Sequence, residues 1–281
     1  METRQKLSIN QIQPKYYLTE VDKEPESIYC YHNPMGEVSI ESHSHQKAQF
    51  LYTEGGLVYV KNELEEFYLP ARHFMWIPPG VEHAIFPSSP KVVMRNLYFP
   101  VQKNDKAFYF QPGIYPVNDM LLQLLFFTES WNGDILPQDQ EKFPIAVAFK
   151  VLLPQVSNTP VLLNLPVARD ERLKRVTNLL RKDLSKNRSI AEIAQQFSIS
   201  ERTLHRLFKK DMNISFIRYY TLLRIFTAIE YIIEGKYTIA EIALMVGYAS
   251  LPSFSNTFTK IVGKRPTEYY KSNYISSLSK V

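Results

Sequence analysis

Arg202, His205, Arg206 and Lys209 fall at i, i+3, i+4 and i+7, the spacing of one helix face. A stripe of donors can lie in a major groove and bond base edges. Pro252, Ser253, Asn256 and Lys260 form a second, less basic series, in which an Asn amide can bond adenine bidentately. A different chemistry sits upstream. His43, His45 and Gln49 recur at even spacing, so an extended strand would point all three to one face. Gathered imidazoles can bind a divalent ion, line an organic-ligand pocket, or be satisfied by hydrogen bonds. Lys47 shares the spacing, which puts a cation beside any metal unless the strand breaks there. Cys30 is the single cysteine. No intramolecular disulfide and no CxxC zinc site can form, and a reducing compartment is expected.

Charge separates the two chemistries. The 281 residues carry +5 overall. Residues 1–167 hold 13 Lys+Arg against 18 Asp+Glu, a balance of −5, and residues 168–281 hold 20 against 10, a balance of +10. Halves of opposite sign suggest two domains with different partners, the basic one suited to a polyanion. Five of the six histidines (His32, His43, His45, His73 and His83) lie in the acidic half. A hydrophobic content of 45% with 22% charged residues excludes wholesale disorder. The start, Met1-Glu-Thr-Arg-Gln-Lys, has no apolar core behind it, and Leu121–Phe127 is too short to span a bilayer. A soluble cytoplasmic protein without a membrane partner is expected.

The elements that must position these residues follow from periodicity. Between 28 and 100 run short stretches rich in Tyr, Val, Ile and Phe: Gln49–Thr53, Leu57–Val60, Glu66–Leu69, Phe74–Ile77 and Val92–Phe99. Turn signals at Glu54-Gly-Gly56, Lys61-Asn-Glu63, Pro78-Pro-Gly80 and Ser88-Ser-Pro90 separate them. This spacing predicts an antiparallel barrel or sandwich. From Asn118, a good N-cap, apolar residues recur at helical spacing up to Trp131, and a second helix is expected over Ile145–Leu153. Pro154–Pro166, with three prolines, reads as a connection.

The basic half repeats itself. Ser189-Ile-Ala-Glu-Ile-Ala194 returns as Thr238-Ile-Ala-Glu-Ile-Ala243, and Ser200, Leu204, Phe208 and Lys210 match Ser250, Phe254, Phe258 and Lys260. A duplicated helix–turn–helix explains both. Ser200 and Ser250 cap the second helix of each unit, and Gly247 supplies a positive φ in a turn. Ile190, Ile193 and Ala194, with Ile239, Ile242 and Ala243, form the buried faces of the first helices. Ser215–Glu234, ended by Gly235, predicts a rigid rod that spaces the two recognition helices for successive major grooves.

Residues 168–281 resemble the DNA-binding domain of the AraC/XylS family of bacterial transcription regulators. The resemblance is carried by Ile242-Ala-x-x-Val-Gly-Tyr-x-Ser250, Ser253-Phe254, Phe258, Gly263, Pro266 and Tyr269. In the first copy it is carried by Ser200-Glu-Arg-Thr-Leu204, Arg206-Leu-Phe208 and Arg224. It implies that Arg202, His205 and Arg206 read bases in the first motif and Pro252, Ser253 and Asn256 in the second. Ser200, Lys209, Ser250 and Lys260 complete the expected DNA face. Asn213 stands where the family favours Gly, Pro252 is unusual at a contact position, and Tyr270 replaces a frequent Arg. The second motif is therefore expected to contribute mainly phosphate contacts and shape.

The acidic half resembles the sensor of the same family. His43-Ser-His45-x-x-x-Gln49, Gly56 and Ile77-Pro-Pro-Gly-Val-Glu-His83 are similar to the two cupin motifs. In metal-binding cupins the matching positions hold a divalent ion with three His and one Glu, which implies His43, His45, Gln49 and His83 as metal or effector ligands. Here Gln49 replaces Glu and Arg72 replaces a customary Gly. Loss of the carboxylate weakens affinity for hard cations and leaves Ni, Zn or Fe. Together with Leu165-Pro-x-x-Arg-Asp-x-Arg-Leu173, the pattern resembles a subgroup that includes a nickel-responsive regulator. His32 and His73 fit neither motif.

The expected architecture is multidomain α+β. A cupin-like β-barrel sensor covers 1–116, a helical or dimerisation segment and linker 117–167, and an all-α double helix–turn–helix domain 168–281. The expected function is a ligand-responsive regulator of double-stranded promoter DNA, activator or repressor, with a small-molecule or metal effector and no enzymatic activity. A metal-dependent cupin enzyme tethered to DNA and a non-specific architectural binder are the alternatives. The helix near 118–131 either mediates a homodimer or closes the barrel's open end.

Overall fold

The computed structural model describes residues 18–36, 38–157 and 159–269; Tyr270 lies outside them. The acidic half folds as β1 (Ile28–Pro34), β2 (Ile40–His43), β3 (Ala48–Glu54), β4 (Val58–Lys61), β5 (Glu65–Leu69), β6 (His73–Ile77), β7 (His83–Pro87), β8 (Val93–Phe99), β9 (Gly113–Pro116), β10 (Gly133–Ile135) and β11 (Asn164–Pro166). These pair into two antiparallel sheets, β10-β1-β8-β3-β6-β9 and β11-β5-β4-β7-β2. The expected barrel is thus a cupin-like jelly roll of two sheets, without, among the described residues, a hydrogen-bonded seam that closes it.

The pleat explains why β3 is buried along almost its whole length. Leu51, with Met75 and Ile77, packs against Val58, Val60, Phe67 and Ile85 of the other sheet. Phe50 and Tyr52 point the opposite way with Phe74, Trp76 and Phe99, onto two helices. Those helices are α1 (Asp119–Phe127) and α2 (Phe143–Val156). Asn118 caps α1 as expected, accepting from the Leu121 N–H at 2.8 Å. The helix ends at Phe127, short of Trp131, with Thr128 as its C-cap.

Helix α2 begins earlier than expected and runs through Pro154. Proline there leaves the Lys150 carbonyl without its helical donor. The Tyr109 hydroxyl replaces it, donating at 2.8 Å. The stretch read as a connection is also tied down. Strand β11 pairs with β5, and the Tyr68 N–H donates to the Leu163 carbonyl at 2.8 Å.

The basic half consists of α3 (Glu171–Lys182), α4 (Ile190–Gln196), α5 (Glu201–Met212), α6 (Phe216–Glu234), α7 (Ile239–Met245) and α8 (Leu251–Val262). The two copies of the repeat begin with the same device, a capping box between Ser189 and Glu192 and between Thr238 and Glu241. Ile193, Ala194, Ile242 and Ala243 are buried as expected, whereas Ile190 and Ile239 are only half-buried. Gly247 has φ +82, and a Cβ there would strike the Leu184 carbonyl. Asn213 holds the left-handed C-cap of α5 at φ 51, a conformation Asn tolerates better than most residues.

The halves meet where α3 and α6 lie on the β4–β5 edge. Arg181 bridges Glu66 at 2.6 Å and donates to the Tyr68 hydroxyl at 3.0 Å. The Tyr68 ring packs 4.5 Å from that of Phe226, and the Tyr59 hydroxyl faces the Glu230 carboxyl. Among the described residues no helix is long and apolar enough to cross a membrane.

Candidate functional site

His43, His45, Gln49 and His83 converge between the sheets. They do so by a route that strand parity did not foresee. Strand β2 ends at His43 and β3 starts at Ala48, so His45 sits in a break. His43 pairs with His83 across β2 and β7. The Pro78-Pro-Gly80 turn holds the break from below, its Gly80 N–H donating to the His45 carbonyl at 2.8 Å. The break also removes the objection raised by Lys47. Its ammonium donates to Ser27 Oγ at 2.8 Å and lies 3.9 Å from the Asp134 carboxylate.

One ligand atom from each of the three imidazoles lies within 4.8 Å of the others. Each Nδ1 faces a backbone carbonyl: His43 that of Glu41 at 2.8 Å, His83 that of Val81 at 2.8 Å, and His45 that of Lys47. These contacts put the proton on Nδ1 and leave the Nε2 lone pairs free to act as ligands. Gln49 Oε1 lies 3.2 Å from His45 Nε2 and 3.1 Å from His83 Nε2. The Gln49 amide donates to Asn96 Oδ1 at 2.8 Å. His43 Nε2 is buried without a hydrogen-bond partner.

With the Gln49 oxygen toward the imidazoles, four acceptors face one another with no proton between them, and Asn96 Nδ2 is left without a partner. A cation would satisfy all four. Turning both amides would let Gln49 donate to the imidazoles and Asn96 Nδ2 reach Gln49, but it leaves His43 Nε2 alone. Burial lowers the basicity of all three imidazoles, and for His83, with His43 and His45 beside it, the value falls to about 3. Neutral imidazole is the form that binds metal. Gln49 and Asn96 are fully buried and His43 is the half-exposed member, so His43 marks the open side.

Asn96 is the site residue that sequence reasoning missed. Gln49 pairs with Tyr98 across β3 and β8, so Asn96 is its diagonal neighbour. Only the strand register carries that signal. His73 is buried with Nδ1 toward the Ala71 carbonyl, and His32 bonds Thr128 and Cys30, so both stand outside the cluster.

At the other pole, Arg202, His205, Arg206 and Lys209 are all exposed on α5, opposite buried Leu204, Leu207 and Phe208. Lys209 Nζ donates to Asn213 Oδ1 at 3.0 Å. Ser200 accepts from the Thr203 N–H at 3.1 Å and Ser250 from the Ser253 N–H at 3.4 Å, so both act as caps. Pro252, Ser253, Asn256 and Lys260 are exposed on α8. Arg224 of α6 stacks on Tyr220 at 4.1 Å and Tyr248 at 5.6 Å, joining the rod to the second unit.

Comparison with known proteins agrees with both poles. Residues 27–119 match the AraC-like ligand binding domain, and residues 193–272 match a helix-turn-helix domain. The chain is similar to the HTH-type transcriptional regulator NimR of Escherichia coli K12, 24% identical over 242 residues, 86% of each chain. It is also similar to the HTH-type transcriptional regulator GbdR of Pseudomonas aeruginosa, 24% identical over 64% of this chain and 47% of that one. Among solved structures, ToxT of Vibrio cholerae with bound unsaturated fatty acid aligns over 87% of this chain and 95% of that one, at 14% identity and a TM-score of 0.35.

Proposed function

We propose that the chain, whose two halves match an AraC-like ligand binding domain and a helix-turn-helix domain, is a ligand-responsive, DNA-binding transcription regulator of the AraC type, and that its effector is a first-row divalent cation. The ligands are Nε2 of His43, His45 and His83, with the Gln49 carbonyl oxygen as a fourth donor. A set of three imidazoles and an amide oxygen, without carboxylate or thiolate, suits Ni, Zn or Fe better than Mg or Ca. The observation that carries the reading is the orphaned His43 Nε2 facing two further imidazoles whose Nδ1 atoms are already engaged. The cation supplies positive charge to four lone pairs that otherwise repel. The protein does the rest: carbonyls fix the rings, and Asn96 fixes the amide.

The relatives are regulators, and the cluster is taken as a sensor and not a catalytic centre. The protein works with double-stranded promoter DNA in the cytoplasm. Exposed Arg202, His205 and Arg206 read bases through α5, and α8 docks the neighbouring groove. His83 opens β7, β7 pairs with β4, and Tyr59 of β4 reaches Glu230 on α6. Binding that redistributes the β2–β7 pair would bias the rod through this sheet, a coupling of about 1–3 kcal/mol. The working division is a sensor over 1–116, a helical segment over 117–167 and the DNA unit over 168–281. Exposed Met120 and Phe127 on α1, with Val147 and Val151 on α2, support a homodimer, which light scattering of the full chain tests.

Elemental analysis of the purified chain tests the effector. The expected result is near one equivalent of a transition metal, lost in His43→Ala/His45→Ala, with affinity for a labelled promoter fragment changing on chelation. A chain that takes up no metal in equilibrium dialysis against Ni, Zn or Fe removes the proposal.

A further inference from the structure

We infer that the second recognition helix reads A·T pairs, with Leu251 and Pro252 packed on thymine 5-methyl groups and Asn256 on adenine. This rests on the DNA-binding reading above and names what that helix recognises.

Phe254, Phe258 and Val262 are buried in the core of the unit. The exposed line of α8 is then Pro252, Asn256 and Lys260, at i, i+4 and i+8, flanked by Leu251 and Ser253. Leu251 is 43% exposed at the first position of the helix. A single exposed Leu elsewhere needs no account; this one stands at the tip that enters the groove. Pro252 beside it sits where a missing N–H costs nothing.

The chemistry of the tip is set by what it lacks. From Gly247 to Thr259 there is no Lys, Arg, Asp or Glu. No guanidinium or ammonium can fork onto guanine O6 and N7, and no carboxylate can accept from cytosine N4. What this stretch reads with discrimination in a major groove is the thymine methyl, which takes apolar contact, and adenine N6/N7, which takes an Asn amide; the Ser253 hydroxyl bonds either kind of pair. Lys260, Lys264 and Arg265 follow only at the far end, where they can meet phosphates. Helix α5 is the opposite, with Arg202 and Arg206 near its start and suited to guanine. The two heads are unlike, and the second one specifies bases directly, where the sequence pattern alone suggested phosphate contacts and shape.

The full chain is used to enrich sites from a random-sequence duplex library at physiological salt. Each thymine of the second subsite is then replaced by deoxyuridine, which removes only the 5-methyl group. At least one replacement is expected to weaken binding about four-fold, the worth of one buried methyl group. Leu251→Ala or Pro252→Ala should bind the thymine and uracil duplexes alike at that position. Uracil tolerated throughout the subsite, or a penalty undiminished in both variants, overturns the inference and leaves sequence-specific binding intact. A library that enriches no sequence overturns the DNA-binding reading itself.

Discussion

Gln49 holds its amide between two imidazoles on one side and Asn96 on the other, and neither amide is exposed. Residue by residue, the cluster depends on that amide keeping its oxygen toward the histidines. Asn96→Ala frees it to turn. The expected loss is about 10–100-fold in cation affinity, as for other residues that orient a ligand, read by titration calorimetry with zinc or nickel. Gln49→Glu should act in the reverse sense, binding a divalent ion more tightly. Without the ion it leaves an unpaired buried carboxylate at a cost on the order of 3 kcal/mol, visible as a lower melting temperature that added metal restores. The histidines of this site were legible because motif and chemistry coincide. Asn96 was not, because its part depends on which strand lies beside β3.

At the scale of elements, the duplicated helices were readable from their caps. Ser189, Ser200, Ser215, Thr238 and Ser250 each accept a backbone N–H at the start of a helix, and a cap is a local event that needs no distant partner. Strands β10 and β11 are three residues each and exist through β1 and β5, so no periodicity announces them. Helix α3 carries the same kind of signal, Leu173, Val176, Thr177 and Leu180 at i, i+3, i+4 and i+7 behind an Asp170 cap, although it lies outside the repeat. The turn at Gly247 carries a prediction of its own. Gly247→Ala forces a side chain into positive φ and onto the Leu184 carbonyl, beside the Arg224 guanidinium. A loss of about 1–3 kcal/mol is expected, read as a lower urea midpoint. Asn213→Gly, at a left-handed but exposed position, should move the midpoint little.

In the whole molecule, the contact between the halves buries the Glu230 carboxyl. Burial pushes the Glu230 carboxyl up to about 7, from an ordinary 4.5. Tyr59 and Arg181 favour its charged form, while Glu66 and Glu234 oppose it. The folded state therefore prefers the proton. The stabilisation is complete below the ordinary value and is lost as pH rises through about 7. Thermal melts of the full chain, referenced to Glu230→Gln across that interval, should show the wild type losing stability relative to the variant as pH rises. A wild type and variant with parallel pH profiles would contradict this.

The rod that receives this contact is a single helix of 19 residues, about 28 Å long at the usual rise. One helix carries both reading heads, the first through Phe208 on Phe216 and Tyr219 and the second through Arg224 on Tyr248, so a signal that moves this helix moves both. A signal that acts through this helix tilts the pair together or releases it from the sheet. Induction should therefore leave the operator's spacer length unchanged. Bases inserted between the two subsites would defeat the induced and uninduced protein equally, because the gauge that measures the DNA is built into one uninterrupted element.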